Sequence, residues 1–192
     1  MIDCEFGSLR PIQDDDLMMI LSWRNAPNVR LNMYNTHVIN SDEHLAWWGR
    51  VKSSDNQQYF LYIQNGTPTG VVSFDQIDKG HNRNAFWAFY ASPQAPIGTG
   101  SRMEIMALDY AFSSLQLHKL CCEVLAFNKP VLKLHEKFGF STEGVFREQH
   151  CHDGSLVDIY RLGILNHEWK ARRDFVVSKL SEIQRKNDAA RN

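Results

Sequence analysis

Residues 128–140 read Asn-Lys-Pro-Val-Leu-Lys-Leu-His-Glu-Lys-Phe-Gly-Phe. The stretch carries the marks of one short helix. Asn128 is suited to cap it, Pro130 fits a first turn where a missing N–H is no loss, and Gly139 fits the stop. Val131, Leu134, His135 and Phe138 share one face at the i, i+3, i+4, i+7 spacing, so an apolar stripe turns inward. The question is the histidine on that stripe. It is either a core residue satisfied by a backbone carbonyl or a proton carrier that faces a site.

The segments around the helix define its setting. Upstream lies a short apolar strand, K-L-C-C-E-V-L-A (119–126). Before it, the loop S-P-Q-A-P-I-G-T-G (92–100) feeds an amphipathic helix from about Thr99 to Leu115. Downstream, strands at roughly Gly144 to His150 and Leu156 to Leu165 flank the turn pair Asp153-Gly154. Nearer the N-terminus, Y-F-L-Y-I-Q (59–64) and G-V-V-S-F-D (70–75) flank Asn65-Gly66 as a hairpin. A-F-W-A-F-Y-A (85–91) reads as a third strand.

Two helices precede these strands. Residues 14–25 form one, with Asp14 to Asp16 supplying a cap and Leu17, Ile20, Leu21 and Arg24 on one face. The other begins near Asn40, which is spaced with Glu43 as a capping box, and lays His44, Trp47, Trp48 and Val51 on one face. Two helices, three strands, helix, strand, helix, two strands is an α/β (α+β) order. It predicts a mixed sheet with helices on both faces, built around a central β-α-β-α unit. The expected domain is one unit over 1–170, followed by a polar helical tail, 171–192, whose end frays.

Composition narrows the function classes. The chain has 192 residues, 43% hydrophobic and 22% charged, with a formal net charge of −1. That gives no global attraction to nucleic acid or anionic membrane, so neither is expected as a partner. No apolar run has membrane-spanning length, and no signal-peptide pattern is visible. Cys4, Cys121, Cys122 and Cys151 form no C-x-x-C pair, which reads as reduced thiols in a cytoplasmic protein with no metal site.

Gly98-Thr99-Gly100-Ser101 sits where a strand hands over to a helix, with Arg102 one turn in. Such a junction offers unpaired N–H groups and a positive helix end to a phosphate. A plain tight turn is the alternative. The Walker loop is excluded, because no Gly-Lys precedes a Ser or Thr. The dinucleotide fingerprint fails where Met103 stands in place of a third glycine.

Taken together, Y-A-S-P-Q-A-P-I-G-T-G-S-R-M, the 128–140 helix and E-G-V-F-R-E-Q-H-C-H-D-G-S-L-V-D-I-Y resemble the GNAT family of N-acetyltransferases over nearly the whole chain. The resemblance implies a mixed, mostly antiparallel GNAT sheet and acetyl-CoA as acetyl donor, with no metal. It implies that the 98–102 loop holds the pyrophosphate; Ala95 stands where the family has Arg or Gln, with Gln94 one residue early. It further implies that backbone around Phe89, Tyr90 and Ala91 pairs with the pantetheine arm and that Asn128 meets the cofactor. Lys133 and Lys137 are candidates to favour its phosphates, with solvated surface lysines as the alternative.

His135 occupies the position of the family tyrosine that protonates the departing thiolate, and it can serve as that acid. Glu123, a carboxylate in an apolar strand, is the candidate base; a solvent-facing edge glutamate is the alternative. No cysteine has an activating partner in sequence, so direct attack of the amine is expected.

On the acceptor side, W-R-N-A-P-N-V-R-L-N-M-Y followed by H-L-A-W-W is similar to the acetyltransferases of pseudaminic acid biosynthesis. That implies a UDP-linked 4-amino sugar, with Arg24, Met33, Tyr34, His44 and Trp47 binding it. Protein N-terminal acetylation of the ribosomal-protein alanine type and a non-catalytic CoA- or nucleotide-binding module are the alternatives. A second copy of the chain, as a homodimer, is the protein partner considered.

Overall fold

The computed structural model describes residues 2–189. Eight strands form a single sheet in the order β1-β2-β3-β4-β5-β6-β8-β7. They are β1 (Ile2–Cys4), β2 (Gly7–Pro11), β3 (Gln58–Gln64), β4 (Thr67–Asp75), β5 (Asn84–Ala91), β6 (Lys119–Leu125), β7 (Ser141–His152) and β8 (Ser155–Leu165). The helices are α1 (Leu17–Asn25), α2 (Pro27–Arg30), α3 (Ser41–Lys52), α4 (Thr99–Asp109), α5 (Lys129–Phe138) and α6 (Asn166–Ala189). Every strand pairing is antiparallel except β5 with β6.

The two hairpin turns form where their sequences demand. Asn65 and Gly66 have φ of 51° and 76°, and Asp153 and Gly154 have 48° and 78°. Consecutive left-handed residues make the tight turn whose twist matches paired strands, and Asn, Asp and Gly adopt it at least cost. Alternation then sends the strand side chains to two cores. On one face Phe60, Tyr62, Val72 and Phe74 pack with Met103, Met106 and Leu108 of α4 and with Leu132 and Phe138 of α5. On the other, Leu61 and Val71 pack with Leu17, Ile20 and Trp23 of α1. Each fully buried side chain of this size contributes about 1.5–3 kcal/mol. Gly70 sets how closely α4 docks, because a Cβ there would lie 2.5 Å from Met103 Sδ.

Several expectations are corrected. Two strands, β1 and β2, precede the first helix. Asp14–Asp16 form a 3-10 turn capped at Gln13, whose N–H donates to Asp16 at 2.8 Å. Asp14 instead accepts from Trp48 Nε1 and Lys52, tying α3 down. Asn40 does cap α3, but the Glu43 carboxylate turns to His37 and leaves the box half made. Asn128 occupies the cap position of α5 with no side-chain cap bond, while its carbonyl accepts from Leu132.

The last helix starts at Asn166, earlier than the change in composition, because Trp169 and Val176 are buried in the core. The expected fraying at the extreme C-terminus concerns residues that include 190–192, which lie outside the described ones. All four cysteines are free thiols, and no described helix is long and apolar enough to cross a membrane.

Candidate active site

The site arises from one irregularity in the sheet. β5 and β6 pair at only three positions, Asn84–Lys119, Ala85–Leu120 and Phe86–Cys121. Beyond Phe86 and Cys121 they part, although β5 stays bonded to β4 through Ala91 and β6 to β8 through Leu125. The facing edges of Trp87–Ala91 and Cys122–Leu125 therefore line a cavity of about 360 Å³ that also takes in Asn128 and His135. An extended chain laid against Phe89, Tyr90 and Ala91 would find β-type hydrogen-bonding partners there. Ala88, the one small residue between four aromatic ones, lines this cavity.

At the α5 end, His135 is buried and its Nδ1 lies 2.8 Å from Glu104 Oε1. Glu104, on α4, has no exposed surface, and its Oε2 has no partner. Rings of Trp87, Phe89 and Phe140 enclose the imidazole at 5.4, 6.1 and 5.0 Å. Burial works against a charge on His135, but the Glu104 carboxylate outweighs it and raises the ring's proton affinity, helped by contact with Cys122. The ring's polar partners are therefore side chains rather than a backbone carbonyl, and Cys122 has an imidazole beside it.

At the other end, Glu123 accepts from Tyr34 Oη at 2.8 Å and from Arg161 Nη1 at 3.2 Å. It sits opposite Arg161 in the β6–β8 ladder, where opposite charges stabilise each other. Arg161 also stacks on Phe86, 3.8 Å from its centroid. Burial first, and then the Glu123 carboxylate, hold the Tyr34 phenol well above its usual range. His150 of β7 meets Tyr34 edge-on at 5.1 Å, and its Nε2 is buried without a partner.

A second cavity of about 340 Å³ lies behind Ala88, Phe89 and Tyr90 and shares Met33 with the first. Arg24, His44 and Trp47 line it, together with Arg50 and Tyr59. His44 is buried and stacked on Trp47 at 5.0 Å, with Nε2 unpartnered. Arg24 donates from Nη2 to the Asn35 carbonyl, and Arg30 donates to that of Thr36, which pins the segment carrying Met33 and Tyr34. Arg24 Nη1 is buried and has no partner. Tyr34 lines the first cavity only, Met33 lines both, and Arg24, His44 and Trp47 line the second.

The glycine loop lies beside the gap rather than in its wall. Gly98 has φ of 91°, which favours glycine, and precedes α4 directly. A Cβ on Gly100 would come within 3.4 Å of Leu134 and 3.5 Å of Phe89, so the loop abuts both α5 and β5. First-turn N–H groups at Gly100 and Ser101 have no intrahelical acceptor, as helix geometry requires, and offer themselves to an anion. The Thr99 hydroxyl is engaged instead by Gln64 and the Pro96 carbonyl. Arg102 is half-buried and Lys133 is exposed.

Sequence reasoning missed Glu104, Arg161, Arg50, Tyr59 and His150. Only the run of buried positions around Glu104 hinted at the first. The others join the site through strand register and helix docking, which no local spacing encodes.

Comparison with known proteins gives the same outline. The family described as the acetyltransferase (GNAT) domain matches residues 8–141. Acetyltransferase PseH of Campylobacter jejuni is 27% identical over 130 residues, 68% of this chain and 80% of that one. Spermidine N(1)-acetyltransferase of Escherichia coli is 24% identical over 163 residues, 85% of this chain and 88% of that one. A solved structure of Vibrio cholerae spermidine N-acetyltransferase, in complex with CoA and spermine, superposes with a TM-score of 0.80 at 24% identity. It covers 86% of this chain and 99% of that chain, a likeness of fold. The split sheet, the glycine junction before α4 and the family match over residues 8–141 together make this chain a member of the GNAT acetyltransferases, an acetyl-CoA-dependent N-acetyltransferase.

Proposed function

We propose that the enzyme acetylates the 4-amino group of a UDP-linked 4-amino-4,6-dideoxy sugar, UDP-4-amino-4,6-dideoxy-N-acetyl-altrosamine, in pseudaminic acid biosynthesis. The observation that carries this reading is the charge of the second cavity. Arg24 Nη1 and His44 Nε2 are buried there without partners, and Arg50 lines the same space. Its carboxylate, Glu43, is already bound to His37. A buried guanidinium N–H with nothing to donate to is costly, and a diphosphate would satisfy that of Arg24. Trp47 and Tyr59 offer aromatic surface for a base. A polyamine would meet two guanidinium groups in this cavity.

In this reading the thioester of acetyl-CoA supplies an activated acyl carbon in the β5–β6 gap. The donor is held by the backbone of Phe89–Ala91, the N–H groups of Gly98–Arg102, Asn128 and Lys133. Glu123 takes a proton from the acceptor ammonium, with Tyr34 and Arg161 fixing its orientation. The amine then attacks directly; as the tetrahedral adduct collapses its nitrogen releases a second proton to solvent and His135 gives a proton to the departing thiolate, leaving the amide and free CoA thiol.

The test is steady-state turnover with three acceptors: the UDP-amino sugar, spermidine and an alanine-terminated peptide. Turnover of the first, with UDP competing against it, is expected. Turnover of spermidine or the peptide with no response to UDP would sink the nucleotide-sugar reading.

A further inference from the structure

Glu104 has no task in packing. Its neighbours on α4, from Met103 to Leu108, are all buried, and Glu104 itself has no exposed surface. One of its oxygens has no partner at all. A buried, half-satisfied carboxylate is a liability that an apolar side chain of similar volume would remove. What it does touch is His135 Nδ1.

We propose that Glu104 is a positioning residue for the acetyl transfer: it holds His135 as the imidazolium, with Nδ1–H tied to the carboxylate and Nε2–H left to serve the gap between β5 and β6. The inference rests on the reading of His135 as the acid. The geometry leaves the ring little choice. Trp87, Phe89 and Phe140 fill the space around it and offer no acceptor. With Nδ1 committed to α4, the other nitrogen faces the Cys122 thiol, which also contacts the ring, and the cavity that both residues line. The titratable groups facing the ring are Glu104 from α4 and Cys122 from β6. From β5 it meets only aromatic carbon, and Glu136 and Lys137 on its own helix are exposed. Proton accounting is simple. Nε2–H passes to the departing sulfur, the neutral ring is left bonded to Glu104 through Nδ1–H, and solvent restores the proton.

A carboxylate beside the ring favours its charged form, so the acid persists to higher pH than an isolated imidazole would. The limb along which kcat falls at high pH should therefore lie well to the alkaline side in the wild type. Glu104→Gln keeps the shape and removes the charge. It should move that limb down by a pH unit or more and cut kcat at neutral pH about tenfold or further, leaving the KM for acetyl-CoA within about twofold.

An unmoved limb in a folded Glu104→Gln protein would overturn the proposal. Should that variant fail to fold, NMR titration of the His135 ring in the wild type decides the matter. A ring charged through neutral pH is expected, and one neutral at pH 7 overturns it. Mass spectrometry after incubation with acetyl-CoA alone is a second check. No adduct is expected, and an acetyl group on Cys122 would mean the imidazole serves a thiol nucleophile instead. Undiminished kcat in His135→Gln would remove the acid reading itself. Loss of kcat in His135→Gln with no pH response in Glu104→Gln would remove only the role of Glu104.

Discussion

Two acid–base pairs bracket the gap between β5 and β6, and they are opposite in kind. His135 and Glu104 are 3% and 0% exposed; Arg161 and Glu123 are 24% and 28% exposed. The first pair is dry, enclosed by rings and cut off from screening by salt. The second stands at the acceptor side, shares its carboxylate with Tyr34, and meets water. Burial fixes a group's geometry and proton content, whereas exposure leaves it free to exchange protons and partners. A group that must hold a proton until the thiolate leaves suits the first setting. One that must take a proton from an incoming ammonium and release it suits the second.

The sharpest way to break this comparison is to remove one partner of the dry pair. His135→Phe fills the ring's space but strands Glu104 in the core. Losing one member of a buried pair costs about 3–5 kcal/mol. Urea unfolding should register that loss, and adding Glu104→Leu should recover most of it while activity stays low. A stable single variant would mean Glu104 was uncharged to begin with.

The pH dependence of stability follows with the same sign from both members. His135 binds its proton more tightly when folded, with its affinity raised to about 10 from an ordinary 6.5. Burial raises Glu104 as well. The contribution of the ring is therefore complete below about 6.5 and lost as pH rises through about 10. Wild-type stability should decline across that alkaline window, and the doubly substituted protein should not share the decline.

The wet pair should answer in the reverse sense. Glu123→Gln is expected to lower kcat by about a hundredfold, the scale of losing a general base. Stability should move by no more than about 1 kcal/mol, as for an exposed ion pair. Comparable damage to folding and to kcat would mean Glu123 is structural. Arg24→Ala separates acceptor from donor. It should weaken acceptor binding by roughly 2 kcal/mol, as for a shielded charge-assisted contact, and leave the acetyl-CoA constant nearly unchanged. Equal loss for both substrates would point to a loosened 31–37 segment, which Arg24 also pins.

How much of this was legible before folding depended on the range of the signal. α5 and the two hairpins were readable because their information is local: a 3.6-residue period, a proline, a glycine stop, and Asn-Gly or Asp-Gly turns. β1 and β2 were not, since Ile2–Cys4 and Gly7–Pro11 carry little alternation and exist by pairing with each other and with β3. The two catalytic candidates were readable as anomalies, a histidine on an apolar stripe and a glutamate in an apolar strand. Their partners were not. Glu104 reads as an ordinary helical glutamate until α5 is laid against α4. Arg161 meets Glu123 only through the β6–β8 register, 38 residues away in the chain. Arg24 was legible as a charge on a helix face, but its division between the Asn35 carbonyl and the cavity was not.

The smallest expected effect concerns Tyr34, the acceptor-side candidate that lines the donor's cavity and not the second one. Its phenol donates to Glu123 and its ring meets His150 edge-on. Tyr34→Phe keeps the ring and deletes the O–H, so Glu123 retains Arg161 alone. The bond is exposed, and its loss should cost stability about 0.5–1.5 kcal/mol at most. The consequence for catalysis is orientational. A carboxylate held from two sides points at one place, and one held only by a mobile guanidinium does not. A fall in kcat of roughly threefold to tenfold is therefore expected, well short of that in Glu123→Gln, because the base itself survives. The two changes act on one group, so Tyr34→Phe should add little once Glu123 is already Gln, and a double-mutant cycle would measure that overlap. Additive losses would mean that Tyr34 touches the acceptor independently of Glu123, and the wet end of the gap would then hold two separate contacts rather than one oriented base.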